Sequence, residues 1–201
     1  MKKIIFLLLL TSIAVTAQNK LSYGIVFGSN FYDSANDNGT FNFTSTTYGG
    51  SDFNYGGYLE YNFTNNMGLK TEITLINRQL SFREFSGSNL TDFDFSYFEV
   101  APSFKYDFGQ EYRKGFYLLF GPKISIMTKA DVDGDDVKDI FNTTNVGAQF
   151  GLGQRVFKYV DIEAKLDYEI TPFFKRESYK STIFGAYISL TVDLERIINK
   201  E

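Results

Sequence analysis

Between Val160 and Ile170 the chain alternates without a break. Val160, Ile162, Ala164, Leu166, Tyr168 and Ile170 are separated by Asp161, Glu163, Lys165, Asp167 and Glu169. Successive side chains of a β-strand point to opposite faces, so this run carries one apolar and one charged face. From Phe93 to Lys129 the pattern recurs twice around a polar turn. Phe98, Val100, Pro102, Phe104, Tyr106 and Phe108 oppose Glu99, Ser103, Lys105 and Asp107. Phe116, Leu118, Phe120, Pro122, Ile124 and Ile126 oppose Leu119, Gly121, Lys123, Ser125 and Lys129. The fold class is therefore all-β, and the question becomes which face points inward.

The same reading along the chain yields eight strands, near residues 21–31, 53–63, 69–82, 93–108, 116–129, 143–156, 160–170 and 181–194. Within the third, residues 76–81 alternate least clearly. Three observations choose the polarity. The connections alternate long and short, with long polar loops at 32–52, 83–92, 130–142 and 172–180, as in barrels with short periplasmic turns and long outer loops. The strands run 11 residues or more, against about 3–10 in soluble sheets and about 9–11 for a tilted bilayer crossing. Aromatic residues crowd their ends: Tyr23, Phe31, Phe53, Phe63, Phe82, Phe93, Phe108, Phe116 and Phe184, the distribution of interfacial girdles. The expectation is an eight-stranded antiparallel up-and-down transmembrane β-barrel in the cell outer membrane, with apolar faces toward lipid. The alternative is a soluble secreted lipocalin-like barrel, apolar inside around a ligand.

The N-terminus supports export. Lys2 and Lys3 precede an apolar run, Ile4 to Leu10, and Val15-Thr16-Ala17 ends in a small-residue cleavage pattern before Gln18. The expected organisation is a cleaved signal peptide at 1–17, a barrel at 18–195 and a short charged periplasmic tail at 196–201, with Glu195 to Glu201 peripheral. Removing Lys2 and Lys3 leaves 18 basic residues against 24 acidic, a formal charge of −6, which disfavours nucleic acid as a partner. The expected surroundings are outer membrane lipid, with the barrel a monomer.

If apolar faces meet lipid, the other parity lines the lumen. That places Glu60, Lys70, Glu72, Glu99, Lys105, Lys123, Arg155, Asp161, Glu163, Lys165, Asp167 and Glu169 inside. Eight strands enclose only enough room for side chains, and buried charges must pair or each costs several kcal/mol. A tight turn at 157–159 would set Arg155 opposite Asp161, Gly153 opposite Glu163, Gly151 opposite Lys165 and Gln149 opposite Asp167. The glycines would then make room for the long chains they face. The charges read either as a selectivity path or as a salt-bridged plug.

No cofactor is expected. The sequence has no Cys and no His, which removes thiolate metal sites and the His-containing constellations of most hydrolases and acyltransferases. The chain is read as non-enzymatic. Asp131, Asp133, Asp135 and Asp136 invite a calcium reading, but Gly134 and Asn142 fall at the wrong positions for an EF-hand loop. A looser Asp-rich site competes there with an ordinary turn-forming tip.

The segments SYFEVAPSFKYDF and GFYLLFGPKISIM, with LSYGIVFGSNFYD before them and NVGAQFGLGQRV after, resemble strands of the PorT-like outer membrane β-barrel family, common in Bacteroidota. The resemblance covers nearly all of the chain after the leader. It departs at the end, where LTVDLERIINKE continues past the eighth strand with no terminal aromatic. It implies a porin-like or structural envelope component. The family's namesake implies an alternative, a docking barrel associated with protein secretion machinery.

Overall fold

The computed structural model describes residues 21–36, 43–44, 53–83, 90–109, 115–175 and 181–199. The expected signal peptide and most of the first outer loop lie outside the described residues. Eight strands form the wall: β1 (Leu21–Asn36), β2 (Phe53–Asn62), β3 (Met67–Arg83), β4 (Leu90–Asp107), β5 (Phe116–Val132), β6 (Thr144–Phe157), β7 (Val160–Glu169) and β8 (Ser181–Asp193). Each pairs antiparallel with its sequence neighbours. β1 also pairs with β8, Gly24 against Asp193 through Asn36 against Ser181, which closes the barrel and leaves no open edge.

Polarity follows the alternation. Ile25, Phe27, Leu59, Ile73, Phe120, Phe150, Leu166 and Ile188 face outward and are 42–62% exposed. A continuous apolar exterior of this kind is untenable in water and fits hydrocarbon. The soluble lipocalin-like alternative fails on this point, because the lumen holds the charges. From Phe98 on β4 to Phe108 just past its end, and from Phe116 to Ile126 on β5, the outward apolar row spans ten residue steps. At about 3.3 Å per step and a tilt near 40° that is about 25 Å of height, the apolar band expected of such barrels.

Tyr23, Phe31, Phe53, Phe63, Phe108, Phe116 and Phe184 stand outward at the band's edges, each at least 38% exposed. Phe108 meets Tyr106 at 5.1 Å and Phe116 at 5.5 Å between ring centroids. Phe93 does not belong to this girdle. It has inward parity and packs against the lumen cluster, 6.1 Å from both Phe95 and Phe141. The side chain of Phe82 lies outside the described residues.

The connections match the two ends. At the β2–β3 turn, Phe63 N donates to Met67 O (2.9 Å), and the Asn66 amide donates to Gly109 O of the next turn (2.6 Å). The third outer connection is shorter than expected. β5 runs on to Val132 and reverses at Asp133-Gly134, both with positive φ (52° and 94°), the conformation that Asp-Gly supplies in a two-residue hairpin turn. Asp135 and Asp136 then pair back onto β5.

Among the described residues no helix is long and apolar enough to cross a membrane. A six-residue helix, α1 (Leu194–Asn199), follows β8. Glu195 was expected to be peripheral, yet it is buried and accepts from the Asn199 amide at 2.7 Å. Asp193 Oδ1 accepts from Arg196 N and caps the helix start.

Candidate functional site

The lumen has two tiers. Of the twelve charges expected inside, eleven are buried and Arg155 is partly buried near the periplasmic end. The β6–β7 register sets Arg155 against Asp161, Gly153 against Glu163, Gly151 against Lys165 and Gln149 against Asp167. The glycines serve different neighbours, however. A Cβ on Gly151 would come within 2.8 Å of Lys165 Cγ, whereas one on Gly153 would collide first with the Tyr117 ring.

Long-range ion pairs dominate the charged tier. Lys70 on β3 pairs with Glu163 on β7, and Lys165 on β7 pairs with Glu72 on β3. Arg78 on β3 reaches Glu169 on β7 at 2.7 Å. β3 and β7 are four strands apart in a ring of eight, so these three pairs cross the full width of the lumen. Other pairs join nearer strands, among them Lys105 to Glu60 at 3.1 Å, Lys123 to Asp167, and Arg155 to Asp161. Hydroxyls complete the network. Tyr117 OH donates to Glu163 at 2.6 Å, Ser125 OH to Glu99 at 2.7 Å, and the Gln149 amide to Ser103 at 2.6 Å.

Arg78 is the central residue that the sequence reading omitted. It binds Glu99 and Glu169 together, and its guanidinium lies 3.9 Å from the Tyr32 ring centroid and 4.2 Å from that of Tyr97. A planar guanidinium can hold two carboxylates and stack on aromatic faces at once, which an ammonium cannot. Asp107 and Asp193, also absent from the expected set, are buried at the periplasmic end, 3.8 Å from Lys105 and Arg155 respectively.

Around and above Arg78 the lumen turns apolar. Ile76, Leu80, Phe95, Tyr97, Met127, Ala130 and Ile183 from the wall enclose Phe141 and Phe173 from two outer loops. Those rings lie 4.8 Å apart and each sits about 5 Å from Phe95. The loops are clasped at Phe141 and Phe174, with Asn142 N donating to Phe173 O (2.9 Å) and the Asn142 amide to Pro172 O (2.7 Å). The result is an apolar cap over a charged tier.

A β-bulge decides one further position. Ser96 pairs with Lys129 while Tyr97 pairs with Met127, so Thr128 is the extra residue. Lys129, which shares the inward parity of Lys123 and Ser125, is thereby turned outward.

The aspartates of the calcium reading do not converge. Among the described residues no cluster of three or more carboxylates is arranged to hold a metal ion. Asp131 accepts from Gly134 N (2.9 Å) and meets Lys129 Nζ (3.2 Å), which together hold its carboxyl below the usual range. Asp136 accepts from Lys138 N (3.0 Å). Both are turn-forming residues, the role that competes with the calcium reading of this loop.

A closed wall, apolar outside and ion-paired inside, defines a transmembrane β-barrel of outer-membrane type. The sequence matches the outer membrane protein β-barrel domain over residues 16–175, and the chain belongs to that family. Among solved structures it is similar to Neisserial surface protein A, at 16% identity over 86% of this chain and 97% of that one, with a TM-score of 0.51. It is also similar to OprG of Pseudomonas aeruginosa (13% identity, 86% and 93% covered, TM-score 0.48). Ail, the attachment invasion locus protein of Yersinia pestis, gives 15% identity, 87% and 98% covered, and a TM-score of 0.49. No curated protein matches the chain.

Proposed function

We propose that this protein is a closed, non-enzymatic structural barrel of the outer membrane, of PorT-like type as found in Bacteroidota, exported by its N-terminal signal peptide and monomeric in lipid. One observation carries the choice of scaffold over pore: the lumen is crossed by Lys70–Glu163, Glu72–Lys165 and Arg78–Glu169 under an apolar cap. A solute path needs a continuous polar bore, and an eight-stranded wall has no room for one beside these side chains. Planar-bilayer recordings of the refolded full chain test this. The expected trace is flat, for the wild type and for Phe141→Ala/Phe173→Ala, because removing the cap leaves the charged tier in place. Stable single-channel steps in the wild type would restore the porin-like reading.

A further inference from the structure

We infer that the outer face of β3, β4 and β5, just above the apolar band, binds the saccharide headgroup of an outer-leaflet glycolipid. The wall changes character there from one outward row to the next. Leu75, Phe98 and Ile126 are cross-strand partners and form the last apolar row. Asn77, Ser96 and Lys129 form the next outward row, and Gln79 and Asp94 the one after. Rows on one face of a sheet are about 6.6 Å apart along the strand, which matches the junction between an acyl chain and its headgroup.

A cavity of about 290 Å³ opens on these residues, lined by Asn77, Gln79, Asp94, Ser96 and Lys129 and also by Arg78 and Phe95, which are themselves buried. Its shape depends on the bulge. Thr128 OH donates to Ser96 O at 3.0 Å and holds the distortion, and the extra residue brings Lys129 out of the lumen to the cavity rim. Bulges re-aim side chains in this way beside functional sites. Ser96 OH donates to Asn77 Oδ1 at 2.9 Å, and Lys129 Nζ meets Asp131 at 3.2 Å, so the rim is held in place without a ligand.

The chemistry selects the headgroup. Asp94 accepts from hydroxyls, the Asn77 and Gln79 amides both donate and accept, and the lysine ammonium donates. That set suits vicinal hydroxyls. A phosphate is disfavoured, because Asp94 and Asp131 are direct cross-strand partners beside the cavity. Below it, Leu75 and Ile126 are 44% and 42% exposed and offer the acyl chains a continuous apolar row.

The test uses the full chain in nanodiscs of equal parts phosphatidylcholine and diglucosyl diacylglycerol, with retained lipid read by native mass spectrometry. The glycolipid is expected to be retained several-fold over phosphatidylcholine. The preference should vanish in Asp94→Ala/Gln79→Ala, a surface variant whose folding is checked by heat-modifiable gel mobility. Equal retention of the two lipids, or an undiminished preference in the variant, would overturn the site. Preferential retention of phosphatidylglycerol in a parallel nanodisc would overturn the saccharide assignment. Displacement of the glycolipid by soluble maltose at equal concentration would overturn the lipid source, since the apolar row would then contribute nothing.

Discussion

Arg78 Nη1 lies 2.7 Å from Glu169 Oε1, and the bond joins two strands on opposite sides of the barrel. The same guanidinium holds Glu99 of the neighbouring strand and stacks on Tyr32 and Tyr97. It sits where the charged tier ends and the apolar cap begins. Removing it leaves Glu99 and Glu169 to share one cation, Lys123 (3.6 and 3.7 Å), at a depth that water does not reach. Arg78→Ala is expected to cost about 3–5 kcal/mol, the usual result of breaking a buried pair from one side. The measurement is the urea midpoint of the refolded barrel in detergent, and an unmoved midpoint would falsify the central role given to Arg78.

Glu72 and Lys165 form a second crossing. Glu72→Lys and Lys165→Glu should each destabilise, since each sets like charges face to face. The double exchange should recover part of the loss, because Glu72 also meets Lys70 (3.1 Å) and Lys165 also meets Glu163 (2.9 Å). A double-mutant cycle is expected to give a coupling energy of about 0.5–3 kcal/mol. Additive losses would mean that the two side chains do not meet in the folded barrel.

Gly153 leaves room for an aromatic ring supplied by β5. A Cβ there would fall onto Tyr117, whose hydroxyl is anchored on Glu163. Gly153→Ala should cost about 1–3 kcal/mol by overpacking. The loss should shrink in the Tyr117→Leu background, and unfolding titrations of the four proteins supply the comparison.

The lipid-facing wall makes a prediction that depends on depth. Leu166 lies mid-strand and is 62% exposed, while Phe157 lies at the periplasmic turn. Leu166→Arg should cost about 2–4 kcal/mol and Phe157→Arg about 0–1 kcal/mol. Folding titrations into lipid vesicles measure both, and equal costs would contradict the placement of the apolar band.

Period-two alternation was enough to sort inside from outside, because lipid tolerates so few polar groups that the outward parity stays apolar over whole strands. It sufficed for the lumen charges from Glu60 to Glu169. It failed at Arg78 for a physical reason. Ile76 and Leu80 point into the cap while Asn77 and Gln79 stand outward above the apolar band, so the two faces exchange character there and the arginine falls on a parity that reads as apolar. Phe93 was misplaced for the same reason. Lys129 was beyond local reading because an extra residue in β5 shifts parity with no mark in composition. Phe141 and Phe173 sit in loops, where no periodicity exists to read. Which charge meets which across the lumen depends on closure of the ring, and strand patterns alone do not carry that information.

The three pairs between β3 and β7 have a consequence for assembly. Neither strand finds its partner in a hairpin, because the bonds lie across the ring and not along a ladder. Until β1 meets β8, Lys70, Arg78 and Lys165 have only the carboxylates of their own or the next strand, Glu72, Glu99 and Glu163, and lack the partner across the ring. A half-zipped sheet is thus penalised throughout insertion, and the last seam relieves the penalty at all three levels together. The lumen acts as a latch that only the finished ring can close.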